Sequence, residues 1–340
     1  MRRFGSRSLA VLLILSWCEP IAISQQTMAI VGTGSTVPAP LMSKWTAAYN
    51  QHNPSVQLKY LASSTSDGIA AMSHGVGDFA AGEVPLTAKQ RSEGKLIEIP
   101  AVVIAIVPIY NLPGVQKELR FSGEALSEIF LGRIKSWDSP VLAKLNPGVH
   151  LPDLPIQVIH RSPGKGSNYI LTEFLSKVSP EFRSQVGTSA SPKWPVGKNA
   201  ERSSDMVSMV MSESGGIGYV EDQYAIEAQV PFGLVLNSAG HFVKASPESL
   251  GEACRTVEAP TFDKFSASLT NPSGANSFPI TSFDWLYLRT RMEDPKRSVE
   301  VRAFLEWLLS DGQRIAAQAG YSELPAPLRA KINVRLRDLK

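Results

Sequence analysis

Apolar and polar positions alternate along this chain with two different periods, and the period switches at short glycine- and hydroxyl-rich stretches. Met28-Ala-Ile-Val31 is a short apolar run that leads into Gly32-Thr-Gly-Ser-Thr36. From Pro38 to Asn50, Leu41, Trp45 and Tyr49 recur every four residues, which predicts a helix buried along one face. Val56-Gln-Leu-Lys-Tyr-Leu61 alternates as a strand does. Ser63-Ser-Thr-Ser66 then precedes Asp67-Gly-Ile-Ala-Ala-Met72, a second strand-to-helix junction, and Asp78-Phe-Ala-Ala81 predicts a further short strand. Ile99 to Tyr110 is a long apolar run, and Pro100 and Pro108 inside it are incompatible with one helix. Residues 298–319 carry Val299, Val301, Phe304, Leu305, Leu308 and Ile315 in the pattern of a packed C-terminal helix. Strands alternating with helices predict an α/β fold with mostly parallel, covered sheets.

Pro and Gly punctuate the middle of the chain at Asn146-Pro-Gly148, Leu151-Pro-Asp-Leu-Pro155, Ser162-Pro-Gly164 and Ser191-Pro-Lys-Trp-Pro195. These read as loops within a folded region, because apolar periodic segments lie between them. No internal repeat or low-complexity tract is visible. A length of 340 residues suits two ordinary domains or one large one. With 43% hydrophobic and 19% charged residues, the chain has material for sizeable cores and too few charges for disorder.

Charge changes the picture only at the start of the chain. Arg2, Arg3 and Arg7 precede the apolar segment Leu9–Trp17, which is too short to span a bilayer, and Ala22-Ile-Ser24 supplies small residues for cleavage. Residues 1–24 therefore read as an export signal, with a mature chain starting at Gln25. A short membrane anchor and a lipidated Cys18 are the alternatives, and the bulk of Trp17 argues against the second. Without these residues the net charge falls from +3 to +1, and no long basic run remains to bind nucleic acid. Cys254 is then the only cysteine, so no internal disulfide can form.

Several chemistries are excluded by spacing. Ile159 stands where a P-loop before Gly164-Lys165 needs glycine, and Val37 stands where a dinucleotide fingerprint needs its third small residue. His52, His74, His150, His160 and His241 show no paired ligand spacing, so no metal or other cofactor is expected. No Gly-x-Ser-x-Gly elbow is present. What remains is a set of three strand-to-helix junctions: Gly32–Thr36, Ser63–Ser66 and Gly164-Lys-Gly-Ser167, with Arg161 close before the last. Helix N-termini present unpaired N–H groups and a positive dipole end to anions. Each junction taken alone also reads as an ordinary N-cap.

Gly32-Thr-Gly-Ser-Thr-Val-Pro-Ala-Pro40 resembles the opening motif of the phosphate-binding subunits of bacterial Pst ABC transporters. The resemblance continues in Val76-Gly-Asp-Phe-Ala-Ala-Gly-Glu-Val-Pro-Leu86 and in Ile129-Phe-Leu-Gly-Arg-Ile-Lys-Ser-Trp-Asp138, with Ala143-Lys-Leu-Asn-Pro-Gly148. It returns in His160-Arg161, Lys193-Trp-Pro-Val-Gly197, Gly215-Gly-Ile-Gly-Tyr-Val220 and Phe278-Pro-Ile-Thr-Ser282. It implies a two-lobed type II periplasmic binding protein whose chain crosses between lobes twice, near residues 102–108 and 279–285. One lobe would comprise residues 25–104 and 283–340, the other 105–282. It further implies a monomer in the periplasm or at the cell surface, which binds inorganic phosphate and serves a membrane permease and ATPase. By residue-for-residue match, the ligand would be held by Thr36, Val37, Thr65 (Ser64 if the alignment slips by one), Glu83, Arg161, Lys165, Gly166 and Ser167.

A buried carboxylate accepts a hydrogen bond from a protonated phosphate and repels a fully deprotonated oxyanion, so Glu83 would select for a ligand proton. Arg161 would supply planar donors and the compensating charge. Three residues depart from the family pattern. Glu83 replaces a shorter aspartate, Lys165 a small hydroxyl residue, and Pro163 an acidic residue that accompanies the arginine. The surplus positive charge predicts either a Lys165–Glu83 pair or a lysine directed to solvent with only its backbone N–H in use. Another oxyanion, a sensor or adhesin role, and a phosphatase are the competing readings. The last lacks a visible nucleophile–base pair.

Overall fold

The computed structural model describes residues 27–256, 268–337 and 339. The export signal, Cys18 and the start at Gln25 lie outside the described residues. The alternating segments form the expected elements. β1 (Met28–Gly34) pairs in parallel with β2 (Val56–Ala62) and β3 (Phe79–Gly82), and α1 (Ala39–His52) and α2 (Thr65–Ser73) follow β1 and β2. Leu41, Trp45 and Tyr49 are all buried, as their four-residue spacing requires. After α3 (Ala88–Ser92), the apolar run with two prolines is a single strand of 15 residues, β4 (Leu96–Tyr110).

β4 serves two ladders. Over residues 96–105 it is antiparallel to β11 (Thr281–Arg289), and over 106–110 it is antiparallel to β8 (Gly216–Glu221). Pro100 is tolerated because it faces Trp285 at a register shift, where the ladder is already irregular. Between these strands lie β5 (Arg120–Phe121), α4 (Gly123–Phe130), α5 (Pro140–Leu145), β6 (Gln157–Arg161), α6 (Gly166–Val178), α7 (Pro180–Gln185), β7 (Lys198–Ala200) and α8 (Ser203–Ser212). α9 (Asp222–Glu227), β9 (Leu234–Leu236), β10 (Phe242–Val243) and α10 (Pro247–Arg255) follow β8. The large sheet has the order β2-β1-β3-β11-β4-β8-β6-β7, and β10-β9-β5 form a small one. Parallel pairing dominates at both ends of the large sheet, but the three ladders joining its halves are antiparallel.

The C-terminal segment departs from the single helix predicted over 298–319. α11 (Pro295–Trp307) passes into a π-helical turn, Leu308–Gly312, and then α12 (Gln313–Gln318); α13 (Ala326–Leu336) follows. At the π turn the Gly312 carbonyl accepts the Trp45 indole N–H at 2.7 Å, a contact between residues 267 positions apart. Val299 is exposed rather than packed.

Candidate functional site

The three junctions, which follow β1, β2 and β6, come together between the two halves of the large sheet. In the first, Gly34 has φ +122°, and a Cβ there would lie 2.9 Å from the Ala81 backbone nitrogen, so only glycine fits. The turn it permits lets Ser35 N–H donate to the Ala81 carbonyl at 2.9 Å and leaves Thr36 ahead of α1, which starts without a capping side chain. Val37 is buried, and its amide donates to Ser35 Oγ at 3.1 Å. In the second junction Ser64 is an ordinary N-cap, accepting the Asp67 N–H at 3.0 Å. Its neighbour Thr65 is buried and donates to Glu83 Oε2 at 2.7 Å. In the third, Arg161 ends β6, and α6 begins after Lys165 without a capping side chain. Asn168 Nδ2 ties this loop down by donating to the carbonyls of Arg161, Ser162 and Ala190.

Arg161 joins the halves. It is 1% exposed. Its Nη2 donates to Thr36 Oγ1 at 3.1 Å and to the Glu201 carbonyl at 3.0 Å, while Nη1 donates to Ser203 Oγ at 3.0 Å and lies 3.9 Å from Glu221 Oε1. Ser66 N–H donates to the Gly164 carbonyl at 3.2 Å across the same gap. The Glu83 side chain reaches the start of α6. A Cβ on Gly166 would overlap Glu83 Oε2 and lie 2.6 Å from its Cδ and 2.7 Å from Thr65 Oγ1. Thr36, Thr65, Glu83, Arg161 and Gly166 therefore form one cluster, with Ser167 buried beside it.

Lys165 behaves as neither expectation had it. It is buried, its Nζ pairs with Glu201 and reaches the Ser63 carbonyl at 3.4 Å, and Glu83 takes its hydrogen bond from Thr65 instead. The reason is placement. Glu201 lies just after β7, beside the Lys165 loop, and offers an exposed carboxylate that a strongly hydrated ammonium prefers to a buried one.

One guanidinium faces several buried carboxyls. Burial raises Glu83 to about 7, helped by the negative charge of Glu221 and opposed by the Thr65 and Ser35 hydroxyls and by Arg161. Burial also raises Glu221, against the pull of Arg161. Asp284, on β11, is raised well above the usual range by burial and by the charges of Glu83 and Glu221. Among the described residues, Arg161 Nε, Ser167 Oγ and Glu83 Oε1 are buried without a hydrogen-bond partner. Two donors and an acidic oxygen with an intermediate proton affinity suit a tetrahedral oxyanion that still carries a proton. No group of His, Cys, Asp and Glu with metal-binding geometry occurs among the described residues.

Three participants escaped the sequence reading. Glu221 supplies a carboxylate near Arg161, which Pro163 cannot, and it directly follows the Gly215–Val220 block. Ser203 had no signal beyond starting a helix. Asp284 had one, a lone acid inside the apolar run Phe283–Leu288.

A parallel-stranded half on either side of two shared central strands, with an anion-suited cleft between, defines the class: a two-lobed binding protein of the type II periplasmic fold. A PBP superfamily domain model matches residues 22–312. The chain is 34% identical over 308 residues to the phosphate-binding protein PstS of Haemophilus influenzae, covering 90% of this chain and 92% of that protein. The fold is shared with a phosphate-binding protein from Stenotrophomonas maltophilia (TM-score 0.68, 17% identity, 91% of this chain and 94% of that one). An ABC-type phosphate transport receptor from Vibrio cholerae also shares it (TM-score 0.57, 17% identity, 86% and 99%). This chain belongs to the PstS family of phosphate-binding proteins.

Proposed function

We propose that this protein binds inorganic phosphate outside the cytoplasmic membrane and passes it to the permease and ATPase of an ABC importer. The observation that carries the reading is Arg161, buried and hydrogen-bonded to Thr36 across the cleft, facing a Glu83 carboxyl whose burial lifts it to about 7. An arginine supplies charge and planar donors to an oxyanion, and the carboxyl, where it is ionised, accepts a proton that sulfate lacks. The names of the relatives support phosphate as the ligand and an importer as its destination.

In this reading Thr36, Thr65, Glu83, Arg161, Gly166 and Ser167 hold the ligand, with Lys165 contributing its backbone N–H. Val37 contributes once its amide is released from Ser35 Oγ. The lobes are residues 25–104 with 283–340, and residues 105–282. The change of partner along β4 between Ala105 and Ile106 supports the first boundary. Residues 1–24 export the chain to the periplasm or cell surface, where it acts as a monomeric carrier without catalytic turnover. Among the described residues no helix is long and apolar enough to cross a membrane.

Calorimetry of the mature chain against phosphate and arsenate tests the ligand. Saturable binding of both is expected, and binding of neither overturns the reading. Hydrolysis of phosphomonoesters at enzyme-like rates would overturn the carrier role.

A further inference from the structure

Asp284 is a buried carboxyl to which the oxyanion cleft assigns no task. It is 0% exposed, and neither of its oxygens has a hydrogen-bond partner among the described residues. Its place is set by register. Trp285 of β11 pairs with Gly82 of β3, and the antiparallel ladder carries Asp284 next to Glu83, the residue after Gly82. Glu83 is likewise 0% exposed and leaves Oε1 without a partner.

The groups around Asp284 bring no positive charge of their own. Glu83 at the end of β3 and Glu221 at the end of β8 act on it by their negative charge, and its own charge acts on Tyr60 of β2 and Tyr287 of β11. Arg161 acts on Glu83 and Glu221, its Nη donors meet Thr36, Ser203 and the Glu201 carbonyl, and its Nε is left for the ligand. Lys165 is held by Glu201. Two adjacent carboxylates in a dry environment cannot both stay ionised, because each lacks solvation and repels the other.

We infer that Asp284 is a specificity-determining residue: it and Glu83 hold one proton between them, so that the oxyanion meets a singly charged acid pair rather than a free carboxylate. This rests on the oxyanion reading of the cleft. A lone Glu83 carboxylate would reject a fully deprotonated oxyanion at every pH above its own titration. The pair instead has a proton to donate, so it admits such an anion until rising pH removes that proton to solvent and leaves two negative charges facing the ligand. Asp284 does this through Glu83, without touching the ligand, and is in that sense a positioning residue.

The proton can be read without ligand. Infrared spectra of the full chain at about pH 8, where ordinary carboxyls are ionised, should show protonated-carboxyl absorption. That absorption should fall by one carboxyl in Asp284→Asn and, as a second variant, in Glu83→Gln. Unchanged absorption in both folded variants overturns the inference. The consequence is read with sulfate, which does not titrate in this range. Wild-type affinity should fall by up to about tenfold per pH unit above the pair's titration, and Asp284→Asn, which leaves Glu83 as a lone acid, should move that fall to lower pH. Identical sulfate profiles in the two proteins would also overturn it. If neither phosphate nor sulfate binds at any pH, the oxyanion reading fails. The infrared loss, which needs no ligand, distinguishes that failure from failure of the pair.

Discussion

Arg161 meets four partners at once, and no other cation can do so from its position. Its guanidinium spans Thr36, Ser203 and the Glu201 carbonyl and lies 3.9 Å from Glu221. Lysine has three donors on a point charge and lacks the planar fork that reaches these groups together. Arg161→Ala should weaken phosphate binding by about 2–5 kcal/mol, the range for truncating one partner of a buried charged pair. Calorimetry measures it, and unchanged affinity would remove Arg161 from the site. At this scale the sequence was legible where chemistry is local. Thr36, Thr65, Glu83 and Arg161 stand beside glycine or hydroxyl clusters and fall in one place. Asp284 was not legible as a partner of Glu83, because the two lie 201 positions apart and only strand register brings them side by side. The side chain of Lys165 was misjudged for a related reason: its partner Glu201 belongs to a loop with no motif of its own.

Among the elements, α6 is the one whose first residue the cleft constrains most. Gly166 leaves just enough room for the Glu83 carboxyl, which is one methylene longer than the family's aspartate and so reaches the helix start. Gly166→Ala should force Glu83 aside or hold the halves apart. We expect phosphate affinity to fall at least about tenfold, a loss of about 1.4 kcal/mol, with the thermal midpoint little changed. Pairing Gly166→Ala with Glu83→Asp should restore part of the loss, which a titration of the double variant checks. Helix and strand types were readable from periodicity, as with Leu41, Trp45 and Tyr49. The break in the C-terminal helix was not, since the Trp45–Gly312 hydrogen bond that accompanies it links distant parts of the chain. Nor does an apolar run with two prolines announce itself as one strand. That becomes intelligible only when the register shift opposite Pro100 is seen.

For the molecule as a whole, buried acids tie stability to pH. Glu83 and Asp222 are both raised to about 7, chiefly by burial. A raised folded-state value means the folded chain binds more protons than the unfolded one. Stability is therefore greatest below the ordinary carboxylate range and is lost as pH rises through about 7, by up to about 1.4 kcal/mol per pH unit for each group. The urea midpoint should fall between about pH 5 and 8. Asp222→Asn, which keeps an acceptor for the backbone N–H groups of Gln223 and Ala105, should make that fall shallower; an unaltered slope would show that Asp222 is not raised. Closure is the second global property. The Arg161–Thr36 and Ser66–Gly164 hydrogen bonds exist only with the halves together, so phosphate should reduce the radius of gyration measured by small-angle scattering. An identical radius with and without saturating phosphate would mean a fixed cleft.

β4 gives that motion a particular character. The strand passes from one half to the other without a break, and Ile106 N–H holds the Ile280 carbonyl at 2.9 Å where the chain returns beside it. There is no slack tether here, and thus no pin about which the jaws swing freely. The joint is a flexure, like a leaf spring. Opening must twist two hydrogen-bonded strands, and the torque that resists it grows with the angle. The range of the gape is then set by how far a sheet can be twisted, and lengthening a surface loop would not widen it.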